Sequence, residues 1–142
     1  RVNLSSAFLI CQTLYPLMAS NDHGSIILIS SIYGSVGPDM ALYKGTAMEN
    51  PVGYGASKGG LLQLMRYLST LLAPKIRVNA LSPGGVERGQ PQAFIDRYSE
   101  RTPLGRMASE RDLVGPAVFL ASDMSAYSTG HDLKVDGGWS AW

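Results

Sequence analysis

An α/β protein on a parallel sheet is the fold the sequence predicts, and two observations carry that prediction. Helix-periodic apolar segments alternate with short β-branched runs in the order helix, strand, helix, strand, helix, strand. Clusters of glycine and proline break the chain between them, notably at residues 34–53 and 82–85.

Each element follows from its own residues. From Val2 to Met18, Leu4, Ala7, Phe8, Cys11, Leu14, Tyr15 and Met18 recur at the helical spacing, ending in a polar turn from Ser20 to Gly24. Ser25 to Ser31 is a continuous apolar run, apolar on both alternating faces, as expected of a central parallel strand covered by helices. Residues 32–53 lack sustained periodicity and are too long for an ordinary connection, which marks a candidate functional loop. A second helix is expected from about Tyr54 to Ala73, its broad leucine and methionine stripe ending at Pro74. Ile76 to Leu81 reads as a second strand broken by Ser82-Pro83-Gly84-Gly85. Residues 87–108 are polar with a weakly helical centre around Phe94 to Tyr98. A third helix is expected to start at Ser109, with Glu110 and Asp112 in its first turn and Pro116 as an irregularity, and to reach Leu120 or Ala121. Leu133 to Val135 completes the strands.

Composition narrows the function classes. At 142 residues, with 45% apolar and 16% charged residues, the chain suits one globular domain with a sizeable core. A formal charge of +1 without blocks of like charge gives no footprint for nucleic acid or an anionic membrane, so a small-molecule partner is expected. No apolar stretch is long enough to span a bilayer and no signal-peptide pattern opens the chain, so a cytoplasmic location is expected. Cys11, the single cysteine, lies among apolar neighbours and is expected to be a buried thiol. His23 and His131 are far apart, each beside an aspartate in a turn, so no metal site is expected.

The chemistry centres on Tyr54-Gly-Ala-Ser-Lys58-Gly-Gly60. Four residues apart on a helix, Tyr54 and Lys58 present a phenol and an ammonium to one space, whereas the adjacent Tyr43 and Lys44 diverge. A phenol ordinarily ionises near pH 10, so acid/base work near neutrality needs roughly 3 to 4 kcal/mol of help. A nearby cation favours phenolate, and Lys58, expected in the first helical turn, adds to a helix dipole of the same sense. A solvated surface helix carries the same spacing, so the pair needs support from elsewhere. Ser30 and Ser31 at the carboxyl end of a parallel strand supply it, because open α/β sheets bind ligands at that edge. The two glycines after Ser82-Pro83 either permit close approach to a flat ligand or make a tight turn.

Taken together, Asn3 in Val-Asn-Leu, Ile29-Ser-Ser31, Tyr54-x-x-x-Lys58, residues 77–85 (RVNALSPGG) and residues 129–138 (TGHDLKVDGG) resemble the motifs of the short-chain dehydrogenase/reductase family, in its order and over nearly the whole chain. The resemblance implies the C-terminal part of a doubly wound Rossmann-like sheet and an NAD or NADP cofactor. It also implies hydride transfer to or from a hydroxyl or carbonyl substrate, expected to be a sugar, polyol or sugar acid. In the same terms, Tyr54 gives or takes the proton and Ser31 holds the reacting oxygen. Lys58 binds the nicotinamide ribose and favours the Tyr54 phenolate, Asn3 orders a water in a proton relay, and Pro83, Gly84, Gly85 and Val86 line the nicotinamide. Ser31 is preferred over Ser30 because of its place before Ile32, Tyr33 and Gly34, leaving Ser30 a structural role. The helices at 2–18 and 54–73 are implied to pair with a second subunit in a homodimer or homotetramer, Gly55 and Gly59 allowing close helix packing.

Three departures from the family pattern stand out. Ser31 and Tyr54 lie 23 positions apart, lengthened by the insertion carrying PDMALYKGT, which is expected to shape the substrate pocket. Glu87, Arg88 and Gly89 follow Val86 where many relatives have a threonine that touches the cofactor. No glycine-rich dinucleotide turn joins a strand to a helix, so residues 1–142 read as the C-terminal portion of one domain, with the N-terminal dinucleotide-binding half absent. The insertion and the segments GGVERGQPQAFIDRY and PLGRM are similar to oxidoreductases near gluconate dehydrogenases and those of bacterial nonulosonate-sugar pathways. Two rival functions differ in test: a non-catalytic binder or regulator has no need of all four of Asn3, Ser31, Tyr54 and Lys58, and a lyase or epimerase using the same tyrosine gives no steady change in nicotinamide absorbance.

Overall fold

The computed structural model describes residues 2–21 and 23–142. Along the chain run α1 (Ser5–Ala19), β1 (Gly24–Ile29), α2 (Val52–Leu71), β2 (Ile76–Pro83), α3 (Gln92–Arg101), α4 (Val114–Ala121) and β3 (Asp132–Val135). Of the expected turn from Ser20 to Gly24, Asp22 lies outside the described residues.

All strand pairs are parallel, in the order β1-β2-β3. Gly24 to Ile29 stand beside Ile76 to Leu81, and Ala80 to Pro83 beside Asp132 to Val135. The strand period of two then divides the sheet cleanly. Ile26, Leu28, Ile76, Val78 and Ala80 face α1 and α2, in a core with Cys11, Leu61, Leu62, Met65, Leu68 and Leu72. Ser25 and Arg77 point the other way and bond the end of α4: Ser25 Oγ donates to the Leu120 carbonyl at 2.8 Å, and Arg77 donates to Leu120 and Ser122 carbonyls at 3.2 Å each. Helices on both faces make the sheet doubly wound.

The run at 25–31 forms β1, expected to be a central strand; among the described residues it pairs on one side, with β2, and its other edge is open. Apolarity on alternate faces reports coverage by helices above and below, and says nothing of whether the strand's hydrogen-bonding edges are occupied. Two expectations, for residues 92–101 and for the segment from Ser109, need correction. Residues 92–101 form a full helix rather than a weak one, because Phe94 and Tyr98 lie one turn apart on a single buried face. The segment from Ser109 opens as a 3-10 turn, Glu110–Leu113, before α4 begins at Val114. There the Asp112 carboxylate accepts from the Ser109 N–H at 2.6 Å and from both Arg106 nitrogens at 2.8 and 2.9 Å. Pro116 then falls in the first turn of α4, where no N–H is required.

Candidate functional site

The carboxyl ends of β1 and β2 stand side by side, since Ile29 pairs with Leu81 and the Ser30 N–H donates to the Leu81 carbonyl at 2.8 Å. Immediately beyond β1 the chain turns tightly through a 3-10 turn, Ile32–Gly34, packed on the first turns of α2. A side chain at Gly34 would place its Cβ 2.8 Å from the Lys58 carbonyl oxygen, so only glycine permits this approach. Ser30 is buried and its hydroxyl donates to that same Lys58 carbonyl at 2.9 Å, which is a structural tie between strand end and helix.

Ser31 caps the 3-10 turn: its Oγ accepts from the Tyr33 N–H at 3.2 Å. A serine hydroxyl used as an acceptor keeps its proton to donate elsewhere. Tyr54 lies in the first turn of α2, partly exposed, and among the described residues its hydroxyl has no hydrogen-bond partner. The Lys58 Nζ stands 5.6 Å from the centre of the Tyr54 ring and donates to the Ile29 carbonyl at 2.8 Å. That bond spends one of three ammonium N–H groups and leaves two. Burial pushes the Lys58 ammonium below its usual pKa. Because α2 starts at Val52, Lys58 belongs to its second turn rather than the first as expected; Tyr54 is the residue the helix dipole reaches most strongly.

Asn3 joins the group indirectly. Its Nδ2 donates to Ser57 Oγ at 3.2 Å, and that hydroxyl donates to the Tyr54 carbonyl at 2.7 Å, so Asn3 is held against the start of α2. Pro83 ends β2, and the following residues are tied on three sides. The Gly84 N–H donates to Val135, the Gly85 N–H to the Tyr98 hydroxyl at 2.5 Å, and Val86 bridges to Ala108. A Cβ on Gly84 would lie 2.9 Å from Asp136 Cα, and one on Gly85 2.7 Å from the Tyr98 ring. Protein packing therefore explains both glycines without a ligand. A cavity of about 160 Å³ lies behind this turn, lined by Tyr98, Arg106, Asp112 and Asp136, and includes none of Ser31, Tyr54 and Lys58.

Several residues around the site carried no functional signal in the sequence. Tyr98 stacks on Trp139 with ring centres 4.3 Å apart, tilts against Phe94 and accepts from Gly85; burial pushes its phenol up to about 12. Tyr43 packs on Phe94 at 5.3 Å, and its hydroxyl lies 3.3 Å from that of Tyr33. Asp132 accepts from Ser82 at 2.5 Å and from Ser35 at 3.3 Å, linking β2, β3 and the segment after Ser31. Where the family threonine was missed, Arg88 pairs with Glu110 at 2.7 Å. Both histidines are exposed, and the described residues include no cluster of three or more metal-ligating His, Cys, Asp or Glu side chains. No helix among the described residues is long and apolar enough to cross a membrane.

Residues 1–140 match the family model described as enoyl-(acyl carrier protein) reductase. Among curated proteins, the chain is 38% identical to 2-dehydro-3-deoxy-D-gluconate 5-dehydrogenase of Pseudoalteromonas atlantica, over 97% of this chain and 53% of that one. Among solved structures it superposes on a short-chain dehydrogenase from Leptospira borgpetersenii with bound NAD+ (TM-score 0.91, 40% identity, 98% of this chain and 54% of the other). It also matches a gluconate 5-dehydrogenase from Burkholderia cenocepacia in complex with NADP and tartrate (TM-score 0.86, 32% identity, 99% and 54%). The chain spans about half the length of the curated relatives it matches.

Proposed function

The chain belongs to the short-chain dehydrogenase/reductase family, and from that premise we propose that its protein is an NAD(P)-dependent oxidoreductase acting on a sugar, polyol or sugar acid. The observation that carries this reading is the juxtaposition of Tyr54 and Lys58 one helical turn apart, with Lys58 anchored to the last carbonyl of β1 beside Ser31. When bound, the nicotinamide supplies or accepts the hydride.

The residues here divide the remaining work. Tyr54 presents a phenol in the first turn of α2, where the helix dipole and the Lys58 cation both favour transient negative charge, and so gives or takes the substrate proton. Ser31 offers its free proton to the reacting oxygen. Lys58 has two N–H groups left for vicinal hydroxyls such as those of a ribose, so the donor set fits the cofactor. Asn3, steadied by Ser57, holds the relay water that returns the proton. Pro83 to Val86 form the wall against the nicotinamide, the turn being rigid through Tyr98 and Val135.

The adenosine-binding part is assigned to the N-terminal portion of a longer polypeptide, a strand of which takes the edge of β1 left unpaired among the described residues. Subunit pairing is assigned to α1 and α2. Phe8, Tyr15 and Leu71 are exposed around an apolar groove between the helices that Cys11 and Leu68 floor, and a second copy covers this face in a dimer or tetramer.

Replacing Tyr54 with Phe in the full-length protein tests the reading. Turnover with D-gluconate is expected to fall by about 10²–10⁴-fold, with reduced-cofactor binding by nicotinamide fluorescence unchanged; retained turnover overturns it.

A further inference from the structure

After Ser31 stands a pair of phenols that the proton chemistry does not use, Tyr33 in the 3-10 turn and Tyr43 in the inserted segment. That segment is held rigidly. Arg97 on α3 donates to the Leu42 and Lys44 carbonyls, Arg101 pairs with Asp39 at 3.4 Å, Leu42 is buried, and Thr46 bonds back to the Tyr43 carbonyl at 2.8 Å. This wall brings the Tyr43 hydroxyl to 3.3 Å from that of Tyr33, while Asn50 Nδ2 donates to Tyr43 at 3.2 Å.

Tyr33 is itself part of the reactive edge. Its N–H holds Ser31 Oγ, and its carbonyl lies 3.3 Å from where a Cβ on Gly55 would stand, next to Tyr54. A proton count then decides what the pair can do. Two phenols bring two protons, their mutual hydrogen bond uses one, and the Asn50 Nδ2 that faces Tyr43 donates to it rather than accepting from it. One phenolic O–H is left to donate outward. Burial and the neighbouring phenol push Tyr33 well above the usual tyrosine range.

We propose that the Tyr33–Tyr43 pair, braced by Asn50, is a substrate-specificity element: its spare phenolic proton donates to a hydroxyl or carboxylate oxygen on the substrate chain beside the reacting carbon. It selects polyhydroxylated alcohols and acids over apolar alcohols. The assignment rests on the reading of this edge as an alcohol-oxidising site. Tyr33→Phe and Tyr43→Phe keep the rings and remove only the hydroxyls, so ring packing is preserved.

The test is steady-state kinetics of the full-length protein, its Tyr33→Phe, Tyr43→Phe and Asn50→Leu variants and the double variant Tyr33→Phe with Tyr43→Phe, on D-gluconate, D-arabinitol and cyclohexanol. Melting temperature and cofactor affinity serve as controls. KM for gluconate or arabinitol is expected to rise about tenfold in the double variant, the scale of one lost hydrogen bond, and less in either single phenylalanine variant, whose remaining phenol keeps one O–H, and in Asn50→Leu. Cyclohexanol kinetics and kcat should stay within about twofold, since the reacting groups are intact. A wild type active on gluconate whose double phenylalanine variant matches it overturns the pair's assignment alone, as does an equal loss on all three alcohols. A wild type that oxidises none of the three overturns the substrate reading and the assignment with it.

Discussion

Two buried clusters hold this molecule, and they are made differently. The first joins α1, α2, β1 and β2 through Cys11, Leu28, Leu61, Leu62, Met65, Leu68, Ile76, Val78 and Ala80. Its members are aliphatic or sulfur-bearing and recur at the helix or strand period. The second joins Ile32, Leu42, Phe94, Tyr98, Met107 and Trp139, drawn from five separate segments and tied by polar contacts at its edges. Arg101 lies over the Trp139 ring at 4.8 Å, and the Tyr98 hydroxyl holds Gly85. The first cluster places β1 against α2 and thereby Ile29 against Lys58. The second places the Pro83 to Val86 turn and the wall that carries Tyr43. The scaffold and the pocket wall are thus separate packing units sharing one sheet edge, and they should fail in different ways.

The largest expected effect is on the wall. Trp139→Ala removes a fully buried ring that stacks on Tyr98, and should lower unfolding free energy in urea by about 3–5 kcal/mol. Met65→Ala should cost about 3 kcal/mol through a cavity in the aliphatic cluster. The two are separated by function: KM for cofactor should rise in folded Trp139→Ala and stay unchanged in folded Met65→Ala, and equal effects would merge the clusters into one unit. Gly85→Ala should cost about 1–3 kcal/mol, because its methyl meets the Tyr98 ring at 2.7 Å.

The smallest effect is electrostatic and belongs to the wall alone. Burial opposes ionisation of Asp136, but hydrogen bonds from the Ser140 hydroxyl and from the Gly138 and Ser140 N–H groups outweigh it and hold its carboxyl below the usual range. A depressed folded-state pKa gives stability that is full above the unfolded value, about 4, and is lost as pH falls through the folded value. Melting temperature followed from pH 7 downward should fall less steeply below about pH 4 in Asp136→Asn than in wild type. Parallel curves would remove Asp136 from the acid response.

The aliphatic cluster and the reactive helix were legible in the sequence because their information is local. Tyr54 and Lys58 are separated by one helical turn whatever they pack against, and Ser31 follows its strand by chain order alone. The 3.6 and 2 periods likewise mark which faces of α1, α2 and the strands are buried. What stayed hidden depends on contacts between distant segments. Tyr33 with Tyr43, Tyr98 with Gly85 and Tyr98 with Trp139 have no spacing rule, since their separation is set by how loops fold over the sheet edge. Strand pairing is hidden for a related reason: side-chain pattern reports faces, whereas strand order is decided by backbone edges that no side chain encodes.

By itself, then, the sequence determined the alternation of helix and strand, the family, and the phenol and ammonium of the reactive helix, all through short-range periodicity and motif. Only the tertiary structure decided that packing requires both glycines after Pro83, that Lys58 is anchored on Ile29, and that an inserted loop sets the Tyr43 phenol against that of Tyr33. Covalent neighbours constrain which face a side chain occupies, but contacts across 10 or more positions, such as Tyr33 with Tyr43, exist only once the sheet has brought the segments together.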